Sequence, residues 1–305
     1  MRIAHFSDLH LLSLDGVGAH RFLNKRLSGY ANLRFKRNHV HRSAYVRAIA
    51  QEIKRRNVDH VCITGDLTNL ALEQEYELAK RVIEDDLGLD PRDVTIVPGN
   101  HDLYTRGALR SGRFTTYFAK YLVSDLPELA VDIGVGLFPV VKLRGPAAII
   151  GLSSAVPRLP LVAAGALGRT QLEAFARVLD HPEVVRRTPV IALHHPVHNP
   201  QSWLKTMLEG LHDADELWQK LDRLGRGMIL HGHLHRRIQR RHATRSGSLH
   251  HVGATSASLQ HEDDARMAGF NVYEIDDLGN VGAVECEVFD PKTNAFHSES
   301  VPRAV

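Results

Sequence analysis

The chain has only two cysteines in 305 residues, Cys62 and Cys286, far apart and each within an apolar, strand-like run. They form no C-x-x-C pair, so buried, reduced thiols are expected rather than a disulfide framework. No run of eighteen apolar residues is present, which excludes a membrane-spanning helix on sequence grounds. The opening Met1-Arg2-Ile3-Ala4-His5-Phe6 turns polar at Ser7-Asp8, too early for a secretory signal peptide. A cytoplasmic location is the expectation. There is neither an internal repeat nor a low-complexity linker, and a net charge of +3 makes no case for a nucleic-acid polymer.

Acidic residues are missing from one stretch. Between Asp15 and Glu52 there are none, while Arg21, Lys25, Arg26, Arg34, Lys36, Arg37, Arg42 and Arg47 fall inside it. Phe22, Leu23, Leu27, Tyr30, Leu33 and Phe35 are interleaved with them. The pattern predicts a basic, apolar helical insertion at about 16–42. It either packs on the domain as a solvated hairpin or, through residues 19–42, docks an anionic amphiphile or the inner face of a membrane.

What is present is a series of short apolar, β-branched runs alternating with helical spacings, the pattern of an α/β architecture. Strands are expected at Ile3–Phe6, Val58–Thr64, Val94–Val97, Phe138–Leu143, Ala147–Leu152, Val190–Leu193 and Met228–Leu230. Helices are expected at Ser43–Arg56 and Glu73–Leu87, and a third opened by a capping box at Thr170-Gln171-Leu172-Glu173. Past His235 the runs read as antiparallel strands, and from Lys292 onward periodicity is lost. One domain over residues 1–290, with two stacked mixed sheets and helices outside, followed by a loose tail at 291–305, is the expected organisation.

Five of the predicted strands run into clusters of polar residues. These are Ser7-Asp8-Leu9-His10, Gly65-Asp66-Leu67-Thr68-Asn69, Gly99-Asn100-His101-Asp102, His194-His195-Pro196 and His231-Gly232-His233-Leu234-His235. Sites in open α/β sheets form beyond the carboxyl ends of strands, where chain segments converge. Carboxylate, amide and neutral imidazole offer oxygen and nitrogen donors suited to Mn, Fe, Zn or Co, with no thiolate among them. Asp8, His10, Asp66, Asn100, His194, His233 and His235 are too many for one tetrahedral ion and suit two ions sharing a carboxylate. Twenty histidines in the chain mean that no single cluster decides the matter. His5 reads as a hydrogen-bonded core residue and His231 as packing under the site. His198, His212, His250 and His251 are rim candidates, and Trp203 and Trp218 read as cap or core packing.

In this order, the motifs D-x-H (Asp8, His10), G-D-x-x-N (Asp66, Asn69), G-N-H-D (Asn100–Asp102), H-x-P (His194) and G-H-x-H (His233, His235) resemble the calcineurin-like metallophosphoesterase superfamily. The resemblance implies a four-layer α/β/β/α sandwich of two mixed β-sheets flanked by helices. It also implies that Asp8, His10 and His235 hold one metal, that Asn100, His194 and His233 hold the other, and that Asp66 bridges. His101 and Asp102 are the implied catalytic residues, His101 contacting the phosphate and assisting the leaving oxygen, Asp102 supporting from behind with Asn69. Asn100, His101 and His195 are the substrate-binding candidates, with His195 pointing away from the site as the other reading.

Within the superfamily, purple acid phosphatases place a tyrosine where Asn69 stands, and protein phosphatases carry G-D-x-x-D-R-G where Asn69 is followed here by Leu70-Ala71. The motifs look closest to those of bacterial cyclic-nucleotide and glycerophosphodiester phosphodiesterases. The expected function is hydrolysis of a phosphodiester, a small molecule or a lipid headgroup, by in-line attack of a hydroxide bridging two metals. A lipid-linked pyrophosphohydrolase of the UDP-diacylglucosamine type is the alternative, disfavoured because His101 stands where that enzyme commonly has arginine. A nuclease and a non-catalytic scaffold are more remote readings.

Overall fold

Residues 1–18, 42–159, 162–198 and 202–303 are described by the computed structural model. β1 (Arg2–Phe6), β2 (His60–Ile63) and β3 (Val94–Ile96) lie side by side and parallel. The chain between them forms α1 (Ser43–Arg55) and α2 (Glu73–Arg81), the latter running on through a π-helical turn, Val82–Leu87. Two short helices follow, α3 (Arg106–Arg110) and α4 (Arg113–Phe118), then a small hairpin of β4 (Val131–Asp132) and β5 (Leu137–Phe138).

The second half contains β6 (Val140–Arg144), β7 (Ala147–Gly151), β8 (Thr188–Ala192) and β9 (Met228–His231). Its helices are α5 (Arg169–Asp180), α6 (Pro182–Val185), α7 (Trp203–Glu209) and α8 (Ala214–Leu221). β10 (Ile238–Thr244) and β11 (Gly247–Gly253) form a hairpin, followed by the antiparallel β12 (Gly269–Ile275), β13 (Val281–Asp290) and β14 (Ala295–Ser300).

Two six-stranded sheets result, in the orders β14-β13-β12-β1-β2-β3 and β10-β11-β9-β8-β7-β6. Alternation along the second sheet stacks the layers, because successive side chains on a strand face opposite ways. Ile149, Val190, Met228 and Leu230 join the core shared with Ile3, Val61 and Ile96 of the first sheet. Their neighbours Ile150, Ile191 and Ile229 join a second core with Leu172, Phe175 and Val178 of α5 and Leu217 and Leu221 of α8. On the other flank α1 buries Val46, Ile49, Ala50 and Ile53, the 3.6-residue stripe expected of a helix on a sheet. The fold is therefore the four-layer α/β/β/α sandwich. No helix among the described residues is long and apolar enough to cross a membrane. Cys62 and Cys286 are buried and unbonded to each other.

Several expectations are corrected. The loose tail expected from Lys292 onward is in part β14, paired with β13 from Glu285↔Ser300 to Asp290↔Ala295. Phe296 anchors it against Phe270 and Phe289, with ring centroids 5.8 and 5.2 Å away. The rest of the strand is exposed, as an edge strand with polar residues tolerates. Thr170 does not cap α5, which starts one residue earlier behind Gly168. The carboxylate of Asp213 instead accepts from the N–H groups of Leu167 and Gly168. Trp203 is neither cap nor core, being 76% exposed. The basic, apolar insertion expected at about 16–42 falls almost wholly on residues 19–41, outside the described residues.

Candidate metal centre

The five polar clusters sit at the carboxyl ends of β1, β2, β3, β8 and β9, which are parallel neighbours within their two sheets. The loops after β1 and β2 run together, Asp8 N donating to Gly65 O at 2.9 Å and His10 N to Asp66 O at 2.9 Å. Two glycines permit the close approach. A Cβ on Gly232 would overlap Ser7 Oγ and Asp8 Oδ2, and one on Gly99 would overlap the Asp66 carboxylate. Asp8, His10, Asp66, His233 and His235 all have positive φ, between 44° and 67°. Side chains with a Cβ rarely adopt that region, and its concentration here turns five ligand-type residues inward at a conformational cost.

The side chains converge. Nε2 of His10 and of His235 are 3.0 Å apart, and Asp8 Oδ1 is 3.1 Å from His235 Nε2. Asp8 Oδ2 accepts from the backbone of His233 at 3.0 Å, whereas its buried Oδ1 accepts no hydrogen bond among the described residues. Asp66 Oδ2 lies 3.9 Å from His10 Nε2 and 3.4 Å from His194 Nε2, while its Oδ1 accepts from His101 N at 2.8 Å. Asn100 Oδ1 is 3.1 Å from His194 Nε2. Donor atoms of Asp8, His10 and His235, of Asp8, Asp66 and His194, and of His194, His195 and His233 each lie within 4.8 Å of one another.

Backbone carbonyls fix the imidazoles. His194 Nδ1 meets Thr64 O at 2.7 Å, His233 Nε2 meets Glu209 O at 2.9 Å, and His101 Nδ1 meets Asn69 O at 2.7 Å. An N–H donated to a carbonyl sets the tautomer and leaves the other nitrogen a lone pair, the arrangement of metal-binding histidines. When no cation is in the site, a proton supplies the positive charge instead. Against the burial that would lower it, the Asp66 carboxylate raises His194 to about 9. Despite burial, His194 and His101 hold Asp66 well below the usual carboxylate range. Two buried carboxylates at the floor of the site call for positive charge, and the donor set of oxygen and imidazole nitrogen fits divalent transition metals.

Two site candidates are corrected. His195 is buried, with Nδ1 at 2.9 Å from Ser154 Oγ and Nε2 at 2.8 Å from Ala163 O, so both nitrogens already have partners within the fold. Asp102 is fully buried, and its carboxylate accepts from Gly99 N, Leu67 N, Thr68 N and Thr68 Oγ1 at 2.9–3.2 Å. It ties the loops after β2 and β3 together. Asn69, by contrast, supports as expected, its amide donating to His10 O. His5 is the core residue expected, bonded to Tyr273 OH and Thr64 Oγ1. His231 packs underneath, against His251.

Tyr104, which stacks on His101 with centroids 5.4 Å apart, was not anticipated. Nor were Arg236, Arg240 and Arg266, which line the cavity of about 560 Å³ onto which Asp66, Asn100, His101, His233 and His235 open. The run Arg236-Arg237-Ile238-Gln239-Arg240-Arg241 was the available signal.

Two facing mixed sheets with such a cluster at their carboxyl ends define the metallophosphoesterase fold. The sequence matches the calcineurin-like phosphoesterase family over residues 1–237, and the chain belongs to that family. Its fold is similar to that of a dimetal phosphatase from Danio rerio, at 14% identity and a TM-score of 0.60, over 100% of this chain and 99% of that one. It is also similar to a purple acid phosphatase from yellow lupin seeds, at 12% identity and a TM-score of 0.57, over 99% of this chain and 54% of that one. No curated protein matches the sequence.

Proposed function

We propose that this protein is a phosphodiesterase with two metal ions, of the kind found among bacterial cyclic-nucleotide and glycerophosphodiester phosphodiesterases. Asp8, His10 and His235 would hold one ion, Asn100, His194 and His233 the other, and Asp66 both. Such ions lower the pKa of a bound water and neutralise phosphate oxygens. The observation that carries the reading is Asp66 Oδ2, within 3.4 Å of His194 Nε2 and 3.9 Å of His10 Nε2, one carboxylate oxygen facing both halves.

The chain's own residues do the rest. Asn69 O orients the His101 ring, Tyr104 stacks against it, and a protonated His101 gives its Nε2 proton to the leaving alkoxide. The left-handed loop residues fix the ligands before substrate arrives, so orientation is not lost at the moment of reaction. The test is metal analysis of purified protein together with rates on an aryl phosphodiester and an aryl phosphomonoester. Two ions per chain and a diester preference support the reading; a monoester preference overturns it.

A lipid-linked phosphoester is the second reading, favoured by α7. Lys205 and Glu209 of this helix line the cavity, while Trp203, Leu204 and Met207 are 76%, 49% and 46% exposed. Hydrolysis of a diacyl diphosphate in mixed micelles, faster than of a soluble aryl diester, would select it.

A further inference from the structure

We infer that the cavity binds a second phosphate group of the substrate, beside the scissile phosphoester, on the guanidiniums of Arg236, Arg240 and Arg266. The inference rests on the reading that the scissile group sits against Asp66, Asn100, His101 and the histidines lining the same cavity.

The first observation is periodicity. Ile238 and Arg240 line the cavity from one face of β10, at the i, i+2 spacing of a strand, and Arg236 lines it from the bend two residues before the strand begins. The chain leaves the ligand His235 and passes directly into this face, so a charged wall adjoins the candidate metal centre by covalent connection.

The second is that the opposite face anchors the third arginine. Arg237 is buried, and its guanidinium donates to Asp264 O and, at 2.6 Å, to Met267 O. Its backbone N–H donates to Ala265 O at 2.7 Å, and Thr255 Oγ1 donates to Arg266 O at 2.6 Å. Four consecutive residues, 264 to 267, are thus tied at their carbonyls, and Arg266 is presented to the cavity from a fixed loop.

The third is charge. Lys205, also on the cavity, has a carboxylate neighbour, Glu209 Oε2 at 3.9 Å. Arg236, Arg240 and Arg266 have no acidic partner within ion-pair distance among the described residues, so no carboxylate offsets their charge on this cavity wall. Three guanidiniums that have no acidic partner among the described residues and line one concave space attract an oxyanion. A phosphate monoester, near −2 at neutral pH with three acceptor oxygens, matches them better than one carboxylate. The substrate class is therefore a phosphodiester, or diphosphate diester, that carries a further phosphate.

A matched pair of probes tests this: thymidine 5′-(p-nitrophenyl phosphate) and the same diester bearing a 3′-phosphate. The expected result is a kcat/KM about tenfold or more higher for the 3′-phosphorylated diester, with the ratio falling toward one in Arg240→Gln and in Arg266→Gln. In parallel, calorimetry on the metal-loaded protein compares thymidine 3′,5′-bisphosphate with thymidine 5′-monophosphate, a readout that needs no turnover. Tighter bisphosphate binding that both variants abolish supports the subsite even if neither diester is hydrolysed, in which case the hydrolytic reading alone fails. Equal kcat/KM and equal affinity in the wild type, or a preference unchanged in both variants, overturns the subsite and leaves the hydrolytic reading standing.

Discussion

Nε2 of His10 and Nε2 of His235 stand 3.0 Å apart, brought together from loops 225 residues distant in the chain. Two imidazole nitrogens and the Asp8 carboxylate are crowded together here, with Asp8 and His10 buried and His235 partly exposed on the cavity. Metal–nitrogen bonds of about 2.0–2.1 Å to one ion would set nitrogens at about this separation. The expected outcome is two ions per chain in the wild type by elemental analysis. His235→Ala should retain about one, and Asp66→Asn fewer than one, with diester hydrolysis in both lowered by about a hundredfold or more. An Asp66→Asn protein that keeps two ions would remove the basis for a shared carboxylate.

His101 is held by Asn69 O and stacked on Tyr104, so its replacement should leave the ions in place and affect the leaving group. In His101→Ala, kcat for a diester with an alkyl leaving group should fall by about 10²–10⁴. For a p-nitrophenyl diester, whose leaving oxygen needs little protonation, the fall should be far smaller. Equal losses on both substrates would mean that His101 binds the phosphate without delivering a proton.

The layers and the loops bearing ligand-type residues were legible in the sequence for a simple reason. Alternation in Ile149-Ile150 or Val190-Ile191, and the stripe Val46, Ile49, Ile53, are local consequences of burial on one or two faces. What was not legible depends on tertiary neighbours. The positive φ of Asp8, His10, Asp66, His233 and His235 is imposed by loops packed against one another, and no local pattern announces it. The carbonyls of Thr64, Asn69 and Glu209 that orient three imidazoles are backbone groups, invisible to a reading of side-chain types. The hydrogen bonds that occupy Asp102 and His195 are hidden for the same reason, since a motif position does not reveal which polar atoms are already satisfied. The arginines on the cavity were overlooked because a basic run resembles any solvated strand until its neighbours are known.

Buried neutral histidines predict acid sensitivity. Burial, and then the charge of His231, lower His5 to about 3. Burial, and then Lys142, hold His60 well below its ordinary value. In the unfolded chain both titrate near 6.5, so between their folded values and pH 6.5 the unfolded state binds more protons. Stability is therefore lost as the pH falls below about 6.5, by about 2 kcal/mol by pH 5 for His5 and in the same direction for His60. His60→Leu should remove one of these contributions, and with it a buried Nδ1 that has no hydrogen-bond partner. Urea midpoints of metal-free protein at pH 7 and pH 5 measure it. An unchanged pH dependence in His60→Leu would show that His60 is not held neutral by the fold.

β14 makes a prediction that a loose tail would not. Phe296 lies with ring centroids 5.2 Å from Phe289 and 5.8 Å from Phe270, and Ser298 Oγ donates to Glu287 Oε1 at 2.6 Å. Phe289 is 3% exposed, so Phe289→Ala should cost about 3–5 kcal/mol, as for a fully buried ring. Phe296 is only partly buried and should cost less, about 1–2 kcal/mol for Phe296→Ala, since it keeps one face in water. Both losses are read from denaturant midpoints at constant m-value. Ser298→Ala, by removing a donor to a buried carboxylate that Arg56 also binds, should add about 1 kcal/mol of its own. If Phe296→Ala and Ser298→Ala are both silent, β14 is not held against β13 in solution.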